Sequence, residues 1–154
     1  MSNFAKSAGF TLVELMITIA ILAVLMAIVV PNYQLQIQKS RRADAKATLM
    51  GEAQRLERCF TDNDTFLGCE ASDYNPPVPS YKGHYNISAT ITTVDGEGNE
   101  ATASAITAGG YTLTATATGD QANDTRCTSF SINELGQKIA ADTDGNDTSA
   151  DCWN

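Results

Sequence analysis

A single carboxylate, Glu14, lies inside a long apolar segment near the start of the chain. Residues 10–30 form a run in which Glu14 is the only charged side chain. A carboxylate in a membrane-length segment costs about 2.5–3.5 kcal/mol on insertion scales, so a partner or a function is expected for it. No lysine or arginine lies near it in this segment. A free α-amine at Phe10, one helical turn away on the same face, would supply a cation.

Oxygen-bearing side chains near the C-terminus have the alternate spacing found in cation-binding loops. Asp142, Asp144 and Asn146 are a weak calcium candidate on this ground. The segment departs from the EF-hand pattern, because its sixth position is Asp147 rather than glycine and its twelfth is Trp153 rather than glutamate. We therefore expect a solvated acidic loop, with no metal and no cofactor.

The chain has four cysteines, and an even number in an exported chain favours disulfides. Three connectivities are possible, of which we favour Cys59–Cys69 and Cys127–Cys152. The first pair would tie a helix end to the following loop, and the second would pin the C-terminal segment to a sheet. A zinc site is disfavoured because the chain has no C-x₂-C pair.

The composition leaves little material for catalysis. The 154 residues include one histidine, His84, and carry a formal net charge of −8. They contain no recognisable nucleophile–base pair, phosphate loop or nucleotide site, so we do not expect an enzyme. From Cys59 onward there are 14 acidic and three basic residues, which disfavours nucleic acid as a partner.

One long helix must position Glu14. Residues 10–30 are long enough to span a bilayer as a helix, and the run is too long for an ordinary signal peptide. Pro31 predicts a kink or a loosened turn, because it removes a backbone donor. The helical pattern then continues to about Arg58, with an amphipathic stripe expected to lie on a sheet: Leu49, Ala53, Leu56 and Phe60.

A change of period from 3.6 to 2 near Gly83 predicts an antiparallel sheet. Clusters of glycine, aspartate and asparagine, including a turn expected at Gly109–Gly110, divide the region into four strands. The expected strands are residues 84–95, 101–107, 111–118 and 126–133. Residues 61–82 are expected to form an ordered surface loop.

Residues 9–16, Gly-Phe-Thr-Leu-Val-Glu-Leu-Met, resemble the N-terminal segment of type IV prepilins, together with Lys6, the apolar run and Pro31. Residues 126–138 and 151–153 also resemble the disulfide-bounded C-terminal region of type IV pilins. The resemblance implies an α+β pilin fold, with a long N-terminal helix packed on a four-stranded antiparallel sheet. It implies a leader at 1–9, a transmembrane and polymerisation half-helix at 10–35, and a globular head at 36–154.

The same resemblance implies that prepilin peptidase cuts between Gly9 and Phe10 and that Phe10 is N-methylated. The chain would be a structural subunit of a type IV pilus, held in the inner membrane and then extracellular on the bacterial surface. Its partners would be itself, other pilins and the inner-membrane assembly machinery. Glu14 is expected to pair with the Phe10 amine of a neighbour. Pro31 is expected either to let the helix extend in the fibre or to form a static kink.

Two other functions stay open at this point. A minor pilin that binds DNA in natural transformation has a similar disulfide arrangement, although the acidic head makes DNA an unexpected partner. A type II secretion pseudopilin usually lacks disulfides and holds calcium. Adhesion, motility and DNA uptake are all compatible with the fibre. Six basic residues between 37 and 58 are expected either to meet the acidic head of a stacked subunit or to face solvent or lipid headgroups.

Overall fold

The computed structural model describes residues 9–70, 74, 76–94 and 107–154. The chain forms two compact units, Met1–Ile37 and Gln38–Asn154. The regular elements of the described residues are α1 (Leu12–Asn63), β1 (Val78–Pro79), β2 (Tyr85–Val94), β3 (Thr107–Ala117), a 3₁₀ turn (Gly119–Asn123), β4 (Ser129–Asn133), β5 (Lys138–Ala141) and α2 (Ser149–Cys152).

Local hydrogen bonds fix both ends of α1. The hydroxyl of Thr11 accepts a hydrogen bond from the Glu14 N–H (3.2 Å) and so satisfies one of the free donors of the first turn. The helix therefore begins after Thr11, two residues later than the expected start at Phe10. At the other end, Asp64 has a φ of +54° and its N–H donates to the Phe60 carbonyl (2.8 Å), which is a common way for a helix to terminate.

Within the described residues the sheet has five strands in the order β1-β2-β3-β4-β5, and each neighbouring pair is antiparallel. The sequence predicts four strands, and that count is wrong. β1 has two residues and β5 has four, so neither is long enough to show the alternation that identifies a strand. Most of the expected strand at 101–107 lies outside the described residues.

Gly109 and Gly110 continue β3 instead of forming the expected turn. Gly110 pairs with Thr92, beside a register shift in β2. A Cβ on Gly110 would lie 2.7 Å from the carboxyl carbon of Glu134. A Cβ here would have to displace the end of the Glu134 side chain, so glycine leaves room for that side chain and does not mark a reversal of the chain.

One face of the sheet packs on the expected stripe of α1. Leu49, Ala53 and Leu56 are at most 7% exposed, and Phe60 lies at the border of the same core. Aromatic side chains of the strands and of the loop after α1 complete the same core. Their edge-to-face contacts add to the stabilisation that burial gives. These contacts are Tyr85–Phe130, 5.8 Å between ring centroids, and Phe66–Tyr111, 5.1 Å.

Two disulfides close the second unit. Cys59 bonds Cys69 at the end of α1, and Cys127 bonds Cys152, which lies in α2. These are the two pairs favoured from the sequence. A bond across a 25-residue loop stabilises a fold by about 3 kcal/mol in the chain-entropy treatment, because it restricts the unfolded chain.

The C-terminal segment covers the outer edge of β5. The N–H of Thr148 donates to the Ala140 carbonyl (2.8 Å), and the indole N–H of Trp153 donates to the Ile139 carbonyl (2.9 Å). An uncovered edge strand is a template for pairing with other chains. The second disulfide therefore holds in place the segment that protects this edge.

Candidate assembly helix and head surfaces

The expected processing and assembly residues lie at the start of α1. Phe10 is 81% exposed, and a Cβ on Gly9 would meet no atom within 4 Å. Within the described residues, no steric contact demands glycine at that position. Glu14 lies in the first turn of α1, whereas Phe10 precedes the helix. The geometry of one helical turn expected between these two residues is therefore not present in the single chain.

A local role for Glu14 can be read from its surroundings. Thr11 and Glu14 have the S/T-x-x-E spacing of a capping box, and the Thr11 hydroxyl binds the Glu14 N–H. This cap uses the backbone of Glu14 and leaves its carboxylate for other contacts. This spacing is visible in the sequence, although the expectations for Glu14 concerned only its charge.

Large apolar side chains cover the first half of α1 and remain exposed. Those between positions 10 and 35 are 49–81% exposed. α1 is long and apolar enough to cross a membrane, with a mean hydropathy of 2.8 in its most apolar 18-residue window, and none of that window is buried. Side chains of this kind need lipid or other apolar helices around them.

Pro31 lies within α1, which the structure assigns as one helix on both sides of it. Proline has no N–H to donate to the carbonyl four residues earlier, that of Ala27. Next to it, the side-chain amide of Asn32 donates to the Ile28 carbonyl (3.0 Å). The role of Pro31 in assembly stays a prediction.

In the head, one flank of α1 is polar and covered by the following loop. This loop flank is formed by Asp44, Thr48 and Glu52, at most 5% exposed and spaced four residues apart. Asp44 accepts from the Ser80 hydroxyl (2.6 Å) and the Lys82 N–H (3.1 Å). Thr48 accepts from the N–H of Tyr81 (3.3 Å). Sequence reasoning missed this flank, because polar residues four apart on a helix normally face solvent.

Glu52 binds two tyrosines of the same loop. The phenols of Tyr74 (2.9 Å) and Tyr81 (3.4 Å) donate to its carboxylate, and Arg55 forms an ion pair with it (3.3 Å). Burial is the larger cause and the hydrogen bond to Glu52 the second, and together they raise the pKa of Tyr74 to about 12. The neutral phenol is thus the form that holds the loop on α1.

Most basic residues of the helix collar at 37–58 have partners within their own chain. The guanidinium of Arg42 makes two hydrogen bonds to the buried carboxylate of Asp124 (2.6 and 2.8 Å). Arg41 lies 3.9 Å from Asp120, and Arg55 pairs with Glu70 as well as with Glu52. These three arginines join parts of one chain, whereas the sequence left open whether the collar meets the acidic head of a stacked subunit or faces solvent or lipid headgroups.

The other flank of α1 is open. This open flank, formed by Met50, Gln54 and Glu57, borders a groove of about 660 Å³ between α1 and the β4–β5 hairpin. The phenol of Tyr111 donates to Glu57, and burial together with this bond raises the Tyr111 pKa. The backbone N–H of Tyr111 donates to Glu134 (3.3 Å). Glu57 and Glu134, which both line the groove, therefore bind opposite ends of Tyr111.

The acidic C-terminal loop is closed by its own hydrogen bonds. Asp142 accepts from the backbone N–H groups of Asp144 (2.9 Å) and Asn146 (2.8 Å) and from the Asn146 amide (3.0 Å). These bonds hold the pKa of Asp142 below its usual value. In the described part of the chain, no three acidic, histidine or cysteine residues form a metal-binding group. The calcium candidate stays a prediction without support from this geometry.

Two family profiles match consecutive parts of the chain, which together cover residues 4–131. A profile described as a prokaryotic N-terminal methylation motif matches residues 4–30. A profile described as type IV minor pilin ComP, DNA uptake sequence receptor, matches residues 31–131, well over half of the chain.

Individual relatives are more distant. Prepilin peptidase-dependent protein D of Escherichia coli (strain K12) is 28% identical over 95 residues, which are 60% of this chain and 65% of that protein. Type II secretion system core protein G of the same organism is 32% identical over 85 residues, 53% of this chain and 59% of that protein. The chain thus spans less than two thirds of both relatives. A solved type IV pilin from Shewanella oneidensis aligns at 24% identity with a TM-score of 0.48, covering 76% of this chain and 98% of that one.

Proposed function

This chain belongs to the family of type IV pilins described as type IV minor pilin ComP, DNA uptake sequence receptor, and from that premise we propose that it polymerises into a type IV pilus through the first half of α1. It is a pilus subunit with the fold of that family: a long N-terminal helix, an antiparallel sheet and two disulfides. In this proposal prepilin peptidase cuts between Gly9 and Phe10, and Phe10 becomes N-methylated. The inner membrane holds the chain until it joins the extracellular fibre.

The exposed apolar half of α1 carries the proposal. Its large side chains between positions 10 and 35 are all about half exposed or more. In the membrane they contact lipid, and in a fibre they contact the same segment of sister subunits. Because lipid tails are as apolar as leucine, packing and polar contacts between helices must favour the fibre.

Glu14 supplies such a polar contact. After cleavage the Phe10 amine carries a positive charge, and a neighbouring subunit can present it to the Glu14 carboxylate. In a medium of low dielectric constant two opposite charges attract strongly, and the attraction is greatest at close approach. It therefore fixes the axial position of one subunit against the next.

Two variants separate this role from capping. We expect Glu14→Ala to insert and to be cleaved, but to lower the yield of sheared fibres about tenfold or more, the effect of losing about 1.4 kcal/mol per contact. Thr11→Val removes the capping hydroxyl but keeps the carboxylate, and should retain most of the fibres. A normal fibre yield from Glu14→Ala would remove Glu14 from assembly.

A second candidate function is capture of DNA by the head, which the description of the matching family supports. The charge of the head opposes it, since residues 38–154 carry 17 acidic and nine basic side chains. Four arginines of the head also form ion pairs within the chain: Arg41, Arg42, Arg55 and Arg126. Any binding would depend on few phosphate contacts and would respond weakly to salt.

A gel-shift titration of the head, residues 36–154, tests the second candidate. Duplexes of different sequence at moderate salt are the probes. A shift confined to particular sequences, with a shallow salt dependence, would assign the DNA role. No shift with any duplex would exclude DNA capture by the head and leave fibre formation as the proposed function.

A further inference from the structure

The two edges of the sheet are covered unequally. The C-terminal segment covers β5, whereas β1 covers only the start of β2, where its two residues pair with Ile87 and Asn86. Within the described residues, no strand pairs with the outer edge of Ser88–Val94, the rest of β2. This free edge, Ser88–Val94, therefore has main-chain donors and acceptors on the side that faces away from β3.

The chain before β1 does not continue along the free edge. Pro76 and Pro77 have no N–H to donate to a ladder, so regular pairing does not extend from β1 toward Ser88. Farther upstream, the phenol of Tyr74 donates to Glu52 of α1 (2.9 Å). The described residues of this loop thus run toward α1 and leave the edge of β2.

The free edge is uncharged within a strongly acidic head. It contains no aspartate, glutamate, lysine or arginine, whereas residues 38–154 carry 17 acidic and nine basic side chains. Edge strands are commonly protected by charges, prolines or bulges. The register shift of the β2–β3 pair places its extra residue, Gly109, on β3, so β2 has no insertion. Two copies of the head thus repel each other least where their free edges meet.

The free edge is also complementary to a second copy of itself. In an antiparallel pair centred on Ile91, Thr90 of one copy lies opposite Thr92 of the other. This register uses the whole free edge and keeps each side chain on its own face, because opposed positions differ by an even number. Thr90 and Thr92, which are exposed, then form cross-strand threonine pairs of a kind that stabilises sheets.

We propose that the free edges of two subunits in different pili pair in this way and join the pili side by side. The contact is isologous, with a two-fold axis at Ile91. Head-to-tail contacts build a fibre, whereas a two-fold contact closes after two copies, so it links subunits of separate fibres. This inference rests on the proposed fibre function.

One such contact is weak, but a pilus repeats it many times. Main-chain pairing of one short segment buries much less than the roughly 1,200–2,000 Å² of a stable interface, so two free chains do not dimerise through it. Many such contacts along two fibres act together and raise the avidity. The contact therefore bundles fibres while free heads stay monomeric.

Cross-linking between separately assembled fibres tests the pairing. All four native cysteines are paired, so an introduced cysteine is the only free thiol. We expect fibres of full-length Thr90→Cys, mixed with fibres of Thr92→Cys and oxidised, to give linked dimers on a non-reducing gel. Each variant alone should give few dimers, because its thiols lie on diagonal positions about 7–8 Å apart, beyond the reach of a disulfide.

A cysteine at Thr116 is the matched control. This position is exposed on the same face of the sheet, but it lies in β3, between two paired strands. Fibres of Thr90→Cys mixed with fibres of Thr116→Cys should give no dimers. Equal dimers in this mixture, or none with Thr92→Cys, would overturn the pairing. Dimers as strong within one variant alone would place the free edge against a neighbour in the same fibre and would also overturn it.

A charge on the free edge tests bundling. We expect Thr92→Lys to lower the amount of fibre that sediments at low speed several-fold, because the paired edges then bring two ammonium groups close together. Thr116→Lys adds the same charge inside the sheet and should sediment like the unaltered fibres. Equal sedimentation of the two variants, or unaltered fibres that stay single in electron micrographs, would overturn this inference alone. If the unaltered chain forms no fibres, the proposed function itself fails.

Discussion

Asp124 ties α1 to the segment between β3 and β4. Its carboxylate is 2% exposed and accepts two hydrogen bonds from Arg42 and one from the Gln121 amide (2.9 Å). Removing one partner of a buried ion pair leaves the other charge without compensation and costs about 3–5 kcal/mol. We predict that Asp124→Ala lowers the free energy of unfolding of the head by about 3 kcal/mol, measured by urea titration.

The neighbouring pair provides the control. Asp120 is 89% exposed in its side chain and lies 3.9 Å from Arg41. An exposed pair at that distance contributes about 0–1 kcal/mol, so Asp120→Ala should have little effect. Equal losses from the two variants would mean that burial does not decide the strength of these contacts.

One buried phenol, that of Tyr85, and one half-buried phenol, that of Tyr74, should make the head sensitive to alkali. Burial raises the pKa of both Tyr74 and Tyr85 to about 12. In the unfolded chain they ionise near the ordinary value of 10.0, so between pH 10 and 12 the unfolded state has lost protons that the folded state keeps. Stability therefore falls as the pH rises through this window.

Thermal melting of the head across pH 9–12 measures this effect. Tyr74→Phe removes one late-ionising phenol and should flatten the decline. The same steep decline in Tyr74→Phe would show that its phenol does not couple to folding.

At the residue scale, the sequence predicted the two disulfides but not the buried polar contacts of α1. The T-x-x-E spacing of Thr11 and Glu14 is a capping signal in the sequence, although no N-cap was predicted from it. Asp44 and Glu52 could not be distinguished from surface charges, because their partners belong to a loop some 20 to 40 residues away. The path of that loop depends on tertiary packing, which a helical period does not encode.

Among the elements, the C-terminal segment protects the edge of the sheet. The disulfide Cys127–Cys152 holds this segment against β5. We predict that Cys127→Ser/Cys152→Ser lowers the unfolding free energy by about 3 kcal/mol and also exposes the β5 edge. The variant head should therefore aggregate in light-scattering measurements at temperatures where the native head stays monomeric.

The other disulfide is a matched control. Cys59–Cys69 restricts the unfolded chain by a similar amount in the chain-entropy treatment. It lies at the end of α1, away from β5. Cys59→Ser/Cys69→Ser should lose comparable stability and aggregate less. Equal aggregation of both double variants at equal stability would contradict the edge-protection argument.

Long elements were predicted better than short ones. The stripe of α1 and the strands β2 and β4 contain enough residues to show a period, and all three were predicted near their observed positions. β5 has four residues without clear alternation, and it forms because β4 and the C-terminal segment offer partners on both sides. Gly109 and Gly110 suggested a turn, but the space needed by Glu134 explains the glycine at position 110.

For the whole molecule, the proposal depends on one asymmetry between the two units. The first unit exposes apolar side chains that a single chain does not bury, while the second has its own core, sheet and disulfides. A folded head with an exposed apolar segment suits a subunit that is stable before and after it leaves the membrane. Hydropathy changes sharply along the chain, and the bounds 10–35 and 36–154 that the resemblance implies for the half-helix and the head stay a prediction.

Mass spectrometry of fibres sheared from the surface of the native host tests the central claim most directly. The account predicts that this chain is present in them, that its N-terminal peptide begins at a methylated Phe10, and that residues 1–9 are absent. Recovery of the chain only in membranes, or with residues 1–9 still attached, would contradict the claim that cleavage frees the apolar helix to build a pilus.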